Sequence, residues 1–131
     1  MTRHGPPHPE AAQTALNARF REKRERGDSW RILRAPGPIE GDCEDYALTL
    51  IWLLAGRSLW RFWWGLLSLR YVLWFCRVGG EGHMVLWVRG HGWTDNLTRH
   101  FAEHLPKTHR RKWPYLVPTI ALKLWLGRRA R

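Results

Sequence analysis

The sequence predicts an α+β fold, in which one buried helix is followed by several short strands. The helix covers residues 43–55, where nearly every position after Asp45 is apolar, so we expect it to be buried almost all round. Strands are indicated by residues 69–77, which are dense in Tyr, Val, Trp and Phe, and by residues 83–89 and 91–95, which flank a Gly-containing turn. The 131 residues suffice for one such core and not for two.

The segment before this helix is predicted to be less regular. The Pro- and His-rich residues 1–10 should be disordered, and residues 11–26 should form a mostly charged helix that stops at Gly27. Residues 28–42 contain two Pro and two Gly, so we expect a loop that leads into the buried helix.

Helices are also expected later in the chain. The Trp-rich residues 58–68 and residues 97–105 each predict a short helix, the second capped by Asn96, and residues 119–126 predict an amphipathic end. The resulting division is a basic tail and helix (1–27), a core (28–105) and a basic C-terminal segment (106–131).

The charge of the chain is strongly positive and lies mainly in its flanks. There are 22 Lys and Arg against 11 Asp and Glu, a net charge of +11, and the basic residues crowd into residues 19–34 and 107–131. Such flanks suit nucleic acid, an anionic membrane or an acidic partner, and charge alone does not choose among them. Ten Trp residues are a heavy load for this length, so we expect some on an exposed or partner-covered surface.

The N-terminus lacks the apolar stretch that a secretory signal needs. Residues 59–75 are apolar, but Arg61 and Arg70 interrupt them and they fall short of the roughly 20 residues of a membrane span. An interfacial or partner-binding segment followed by a buried strand is the better interpretation. We therefore expect a cytoplasmic or virion-associated protein.

Cys43 has the local setting of a reactive thiol. Asp42 is a good N-cap and Asp45 can complete a capping box, which puts Cys43 in the first turn of the buried helix. A helix N-terminus lowers the pKa of a thiol, as does a neighbouring imidazolium. The carboxylates of Asp42, Glu44 and Asp45 act in the opposite direction, because negative charge disfavours a thiolate. Cys76 stands in an apolar run and is interpreted as a small buried thiol.

A base and a group that orients it are predicted on the hairpin. If the turn passes through residues 88–90, His83 lies opposite Asp95, and the carboxylate can fix the tautomer of the imidazole. If the turn is at residues 90–91, Leu86 lies opposite Asp95, and the carboxylate moves to the other face of the sheet. The residues leave both registers open.

Three short motifs resemble the bacterial transglutaminase-like cysteine proteinases. They are GDCEDYA at residues 41–47, GHMVL at 82–86 and WTDN at 93–96. The resemblance covers residues 28–97, where Asp28, Ser29 and Trp30 look like the family's upstream Asp and Trp. The order Cys, His, Asp agrees with the family. So does the setting of each residue: the Cys opens a helix, the His opens a strand and the Asp closes the next strand.

The resemblance implies a papain-like fold, with a central helix packed on an antiparallel sheet, and cleavage of peptide bonds in protein substrates. It implies a catalytic triad of Cys43, His83 and Asp95. Asn96 would support the triad, and no cofactor would be required. The chain departs from the family in being shorter, in carrying a Trp-rich insertion at residues 58–67 and in lacking an export signal.

By the same resemblance, Asp42 and Glu44 match positions that bind calcium in some members. A bound calcium ion would relieve the conflict between the carboxylates and a thiolate. Without metal, helix capping by Asp42 and Asp45 and solvation of Glu44 account equally well for these residues.

The predicted function is that of a cysteine-nucleophile hydrolase, a peptidase or amidase acting on peptide or isopeptide bonds. The Cys43 thiolate would attack the amide carbonyl, and His83 would protonate the leaving amine and then activate water. The backbone N–H of Cys43 is predicted as one oxyanion donor and Trp30 as a second. Attack by an amine in place of water would make the same residues a transamidase.

Two other interpretations stand beside this one. His100, Glu103 and His104 fit the spacing of an inverted zinc-protease motif, but no third ligand is evident and a solvated helix face is the better account. The main alternative is a non-catalytic binding or assembly module, phage-related, that keeps the scaffold. Its Trp-rich and basic surfaces would dock on a membrane, nucleic acid or protein.

Overall fold

The computed structural model describes residues 9–22, 30, 32, 33 and 39–129. Over these residues the chain forms both helices and strands, which confirms the α+β prediction. The helices are α1 (Pro9–Arg19), α2 (Cys43–Leu54), α3 (Leu59–Leu67) and α4 (Val117–Arg129). The strands are β1 (Phe20–Glu22), β2 (Ile39–Gly41), β3 (Tyr71–Val78), β4 (Glu81–Val88), β5 (Gly92–Thr94) and β6 (His109–Pro114).

Four of the strands form an antiparallel sheet in the order β5-β4-β3-β6. Its centre is the β3–β4 hairpin, which pairs along its whole length and turns at Gly79 and Gly80. Both glycines have positive φ, as a two-residue hairpin turn of this kind requires. β6 pairs with the other side of β3, with a register shift between Phe75 and Cys76. β1 and β2 form a separate pair of parallel strands.

The main core lies between α2 and one face of the sheet. Residues 45–54 of α2 are all buried, as the sequence predicts. Side chains that alternate along β3 and β4 pack in the same cluster: Tyr71, Leu73, Met84, Leu86 and Val88. The other helices complete this core with Leu16 of α1, Phe62 of α3 and Ile120 of α4.

The N-terminal helix is shorter than predicted. It begins at Pro9 and ends at Arg19, and the prediction of a helix is wrong at residues 20–22, where the chain continues as β1. Phe20 is buried and packs edge-on against the ring of Tyr46, with centroids 4.9 Å apart. The residues after Phe20 are charged and offer no apolar stripe that a longer helix could bury.

The loop predicted over residues 28–42 is also partly wrong. β2 lies at its end and pairs with β1, which brings the chain in extended form to the start of α2. Residues 1–8 of the predicted disordered start and residues 23–29 lie outside the described residues.

The helix predicted over residues 97–105 is wrong, because the described backbone there forms turns. Ala102 exchanges two backbone hydrogen bonds with Trp93, at 2.7 and 2.8 Å, so this segment pairs with β5 instead of forming a helix. Asp95, and not Asn96, caps the turn, since Asp95 Oδ1 accepts hydrogen bonds from the two N–H groups at positions 97 and 98.

β6 is a strand that the sequence did not indicate. Its central residues Arg110, Arg111 and Lys112 are exposed, so it carries no apolar pattern. Backbone pairing with β3 holds it in place, and charges on an edge strand discourage pairing with another chain. The helices expected in the Trp-rich segment and near the C-terminus are confirmed as α3 and α4. None of the described helices combines the length and the apolar character that crossing a membrane needs.

Gly65 lies within α3, close to the ring of Tyr71. A Cβ at this position would stand inside van der Waals contact with two atoms of that buried ring. We expect Gly65→Ala to lower the free energy of unfolding by about 1–3 kcal/mol, although alanine favours a helix by about 1 kcal/mol. Leu67→Ala, at an exposed position of α3, should change it by less than about 0.5 kcal/mol. Urea denaturation measures both, and equal stabilities would contradict the close packing.

Candidate active site

α2 begins at a closed capping box. The N-cap Asp42 accepts the N–H of Asp45 at 3.4 Å, and Asp45 Oδ2 accepts the N–H of Asp42 at 3.3 Å. The predicted box is therefore confirmed, and Cys43 is the first residue of the helix. A Cβ on Gly41 would overlap the Asp45 carboxyl. The glycine of the GDCEDYA motif thus leaves room for the group that fixes the helix start.

The structure brings His83 and Asp95 together. His83 Nε2 lies 2.9 Å from Asp95 Oδ2, and the two side chains are 8% and 2% exposed. The contact joins the start of β4 to the residue that follows β5. A buried imidazole is thereby held in one orientation by a carboxylate.

The register that makes this contact differs from both predicted ones. β4 and β5 are joined by a three-residue loop, residues 89–91. If the pairing of Leu86 with Thr94 is continued by one residue, Asp95 lies opposite Val85. Val85 is two residues from His83, the partner that the first predicted turn gives to Asp95. Both predicted turns are therefore wrong. Because side chains alternate with a period of two, a shift of two residues keeps Asp95 on the face of His83, and the two meet diagonally.

The sulfur of Cys43 reaches the same end of β4. The backbone N–H of Met84, the residue that follows His83, is near enough to lower the pKa of this thiol. β5 ends at Thr94, opposite Leu86, so within the described residues β4 has no paired strand on that side at Met84. The sulfur therefore lies near the backbone of the residue next to His83, whereas the His83 side chain leaves β4 on the face opposite to Met84 and α2.

The hydrogen bond to Asp95 determines which nitrogen of His83 can act as a base. With Nε2 donating its proton to the carboxylate, the neutral ring carries its lone pair on Nδ1, the nitrogen nearer the backbone. Nδ1 is therefore the nitrogen of His83 that does not contact the carboxylate.

His109 belongs to this cluster and was missed by sequence reasoning. From the first position of β6, its Nε2 lies 2.6 Å from the same Asp95 Oδ2. The rings of His83 and His109 stand edge to face with centroids 5.6 Å apart. His109 is buried, but it opens an unpredicted strand within a run of basic residues. No motif or periodicity distinguished it from the exposed histidines of the chain.

Asp95 is buried and held ionised. Burial by itself raises the pKa of a carboxyl, but the hydrogen bonds from His83 and from the N–H of Thr98 reverse this and hold the pKa of Asp95 well below its usual value. The positive charge that His83 can carry and the hydrogen bond from His109 act in the same direction. The stabilisation is present above the pKa that the carboxyl has in the unfolded chain, and it is lost as the pH falls through the lowered value.

The surroundings of Cys43 keep it a protonated thiol at rest. Burial raises the pKa of Cys43 far above its usual value, and the charge of Glu44 raises it further. The N–H of Met84 lowers this pKa and is outweighed. The thiol also donates to Glu44 Oε2 at 3.4 Å. For Glu44, burial and the neighbouring Asp42 raise the pKa to about 8. The expected lowering by the helix N-terminus does not dominate.

Asp42 and Glu44, the predicted calcium ligands, interact closely enough for Asp42 to raise the pKa of Glu44. A cation held by both would lower the negative charge beside the sulfur. Calcium takes roughly six to eight oxygens. Within the described residues no third His, Cys, Asp or Glu joins this pair. Backbone and water oxygens would have to supply most of the shell, and calcium binding here stays a prediction.

The other predicted site residues differ in their burial and in their contacts. Trp30 is buried, with its ring edge-on to that of Tyr115 at 5.1 Å, and its role as an oxyanion donor stays a prediction. Asn96 is buried, and its Oδ1 has no hydrogen-bond partner among the described residues. Asp28 and Ser29 lie outside the described residues.

The inverted zinc-protease spacing does not become a metal site. Residues 100–104 are not helical, so the two histidines do not share a helix face. The side chains of Glu103 and His104 are 89% and 88% exposed and contact each other at 3.2 Å. Solvent exposure, which the sequence analysis favoured, is confirmed for these two, although the helix it assumed is absent from this described segment.

A comparison of the chain with known protein families finds no family that matches it, and no curated protein matches it either. Interpretation of the site therefore depends on its geometry and on the three motifs.

Glu44 provides a pH-dependent test of the charge around the sulfur. We expect Glu44→Gln to speed alkylation of Cys43 by iodoacetamide about 3- to 10-fold at pH 9, because a lost negative charge lowers the thiol pKa by up to about one unit. With its pKa at about 8, Glu44 becomes neutral as the pH falls. The ratio of rates should therefore approach one at pH 6.

Peptide mass spectrometry measures the alkylation of each cysteine separately. The matched control is Glu103→Gln, which removes an exposed carboxylate and should leave the rate unchanged at every pH. A rate ratio for Glu44→Gln that stays at one up to pH 9 would contradict the electrostatic account.

Proposed function

We propose that the protein is a cysteine-nucleophile hydrolase that cleaves amide bonds in peptides or proteins with Cys43, His83 and Asp95. The observation that supports this most strongly is the buried pair of His83 and Asp95, together with the position of Cys43 at the start of a buried helix. Asp95 holds Nε2 of His83 at 2.9 Å, and the Cys43 sulfur lies at the first residue of a buried helix, against the amide next to His83. A nucleophile, a base and an orienting carboxylate are the parts that covalent amide hydrolysis requires.

The reaction begins with a neutral thiol. His83 Nδ1 takes the proton of Cys43 as the sulfur attacks the amide carbonyl, and Asp95 stabilises the imidazolium that forms. The C–N bond then breaks, and His83 gives this proton to the leaving amine. Water attacks the thioester, losing a proton to His83, and the sulfur leaves and recovers that proton. An amine in the place of water would give transamidation.

General-base catalysis suits this site better than a preformed thiolate. Burial and the charge of Glu44 disfavour the charged sulfur before substrate arrives. As the sulfur attacks the carbonyl carbon, the negative charge develops on the carbonyl oxygen instead of remaining on the sulfur. The N–H of Cys43, in the first turn of α2, is the natural donor to that oxyanion, because first-turn N–H groups have no partner within their helix.

The arrangement of α2 against the sheet supports a papain-like core as part of this proposal. A central helix carries the cysteine and packs on β4 of an antiparallel sheet. The GDCEDYA, GHMVL and WTDN motifs, which carry Cys43, His83 and Asp95, resemble those of the bacterial transglutaminase-like cysteine proteinases. Protein or peptide substrates follow from that resemblance.

Acylation by an activated ester tests the proposal without knowledge of the substrate. Incubation with p-nitrophenyl acetate should give a burst of nitrophenol and an acetyl group on Cys43, detected by peptide mass spectrometry. We expect Cys43→Ala to abolish the acetylation and His83→Ala to slow it about 10²- to 10⁴-fold.

Cys76, the other cysteine of the chain, is fully buried and pairs with His83 across the β3–β4 hairpin, so its acylation is compared with that of Cys43. The matched control is Glu103→Gln, at an exposed position, which should acylate at the unaltered rate. If Cys43 and Cys76 acylate equally slowly, or if His83→Ala has no effect on folded protein, the hydrolase proposal fails. Incubation of a peptide library with the active protein, and in parallel with Cys43→Ala, then identifies the peptides that only the active protein cleaves.

A second candidate function, a docking or assembly protein, is favoured by the exposed face of α3. Trp60, Trp64 and Leu67 follow one another at helical spacing and are 81%, 65% and 61% exposed. The neighbouring Arg57 and Arg61 are also exposed, and residues 46–80 contain no Asp or Glu. Trp and Leu beside arginine are typical of a helix that lies in the interface of an anionic membrane.

This candidate keeps the predicted cytoplasmic or virion-associated location and a phage-related role as proposals. Nucleic acid is the other anionic partner, but it would leave the apolar stripe uncovered unless bases stack on the indole rings. The lipid surface buries the Leu as well as the Trp side chains, so we favour it.

Vesicle cosedimentation tests the docking candidate. Vesicles containing phosphatidylglycerol should bind the protein, and the double substitution Trp60→Ser with Trp64→Ser should weaken binding at least about tenfold, because each buried Trp contributes more than about 1.4 kcal/mol. Trp125→Ser, at a 52% exposed position of α4, is the control and should bind as before. Equal binding of all three proteins, or binding to DNA alone, would contradict membrane docking.

A further inference from the structure

His83, Asp95 and His109 form a cluster with the chemistry of a metal site. One ligand atom from each residue lies within 4.8 Å of the others, and all three residues are buried. Two imidazoles and one carboxylate are ligands that Zn²⁺ and similar divalent ions take in proteins. We propose that this cluster binds a divalent transition metal ion of the Zn²⁺ class, through Nε2 of both histidines and Oδ2 of Asp95.

The carboxylate is prepared for a single metal bond. Asp95 Oδ1 is occupied by the N–H of Leu97 at 3.0 Å and by the N–H and hydroxyl of Thr98 at 2.7 and 2.9 Å. Oδ2 remains for the cluster. Hydrogen bonds that fix one carboxylate oxygen while the other binds the ion are the outer-shell support that metal sites show.

His109 has similar support on its far side. Its Nδ1 lies 3.0 Å from Thr108 Oγ1, so the ring can carry its proton on Nδ1 and present the Nε2 lone pair to an ion. A neutral His83 would make the same shift of its proton from Nε2 to Nδ1. No net proton release is needed, because both rings bind as neutral imidazoles.

The metal state and the hydrogen-bonded state exclude each other. Oδ2 now lies 2.9 Å from His83 Nε2 and 2.6 Å from His109 Nε2. Ligand atoms at 2.0–2.2 Å from a tetrahedral ion lie about 3.3 Å or more from one another. The two distances from Oδ2 to the histidine nitrogens must therefore lengthen by about half an ångström when the ion binds. Three protein ligands leave a fourth position for water.

Metal binding has a consequence for the thiol that depends on the proposed hydrolase function. An ion on His83 Nε2 removes the hydrogen bond from Asp95 and puts the ring proton on Nδ1, the nitrogen that must accept the proton of Cys43. The metal-bound protein would therefore be unable to acylate. The cluster would make the hydrolase sensitive to free divalent transition metal ions.

Isothermal calorimetry of the EDTA-treated full chain with ZnCl₂ tests the binding itself. We expect one saturable site per chain. His109→Ala and His109→Gln should each weaken it at least about 100-fold, since each removes a ligand and the loss of an outer-shell partner alone costs about 10- to 100-fold. The Gln variant retains a polar donor in case the Ala variant fails to fold, and circular dichroism reports on folding.

His104→Ala, which removes an exposed histidine, should bind as the unaltered chain does. Absence of a saturable site, or equal affinity in the folded His109 variants and the unaltered chain, would overturn the proposal. Acylation by p-nitrophenyl acetate gives a separate result. Zn²⁺ should inhibit acylation of the unaltered chain over the concentration range that saturates the calorimetric site. If the metal-free unaltered chain does not acylate, the hydrolase function fails, whereas the calorimetry still decides whether the metal binds.

Discussion

The arrangement of the site depends on the buried carboxylate of Asp95. One of its oxygens contacts imidazoles from β4 and β6, and the other accepts two backbone N–H groups of the turn that follows it. β5 and β6 are the two edges of the sheet, so this one group links both edges across the central hairpin. An ionised carboxylate is tolerated in such a position only when its hydrogen bonds are complete. The same requirement fixes the orientation of His83.

A second constraint is the charge at the start of α2. The carboxyl groups that close the helix and flank Cys43 stabilise its first turn but disfavour a thiolate. A site of this kind avoids the conflict if the sulfur stays neutral until the base takes its proton during attack. The pKa of Glu44 is raised into the range near neutral pH. The protonation state of Glu44 then controls how much negative charge lies beside the sulfur. Local capping chemistry and reactivity are therefore coupled at this one turn.

Local patterns predicted the parts of the site that lie close together in sequence. The apolar run after Asp45 and the capping pair predicted α2 and its start, and both are confirmed. The position of Asp95 was predicted through a register that is wrong by two residues, and the contact with His83 survives because a sheet face repeats every second residue. His109 could not be predicted, because its contact joins strands that are distant in sequence and β6 has no apolar pattern of its own.

Tertiary contacts also decided the elements that propensity assigned incorrectly. Burial of Phe20 against Tyr46 ends α1 early, and the backbone pairing of Ala102 with Trp93 replaces a short helix. In both places a partner far along the chain outweighs a weak local preference. Sequence motifs thus indicated candidate residues, whereas long-range pairing brought His83, Asp95 and His109 together.

The tautomer of His83 tests the central claim most directly, and two-bond ¹H–¹⁵N correlation spectra of histidine-labelled protein report it. The account predicts that His83 carries its proton on Nε2 near neutral pH, and that Asp95→Asn shifts the ring toward the other tautomer. A neutral His83 ring protonated on Nδ1 in the unaltered, metal-free chain would contradict the account, because that nitrogen could then not accept the proton of Cys43.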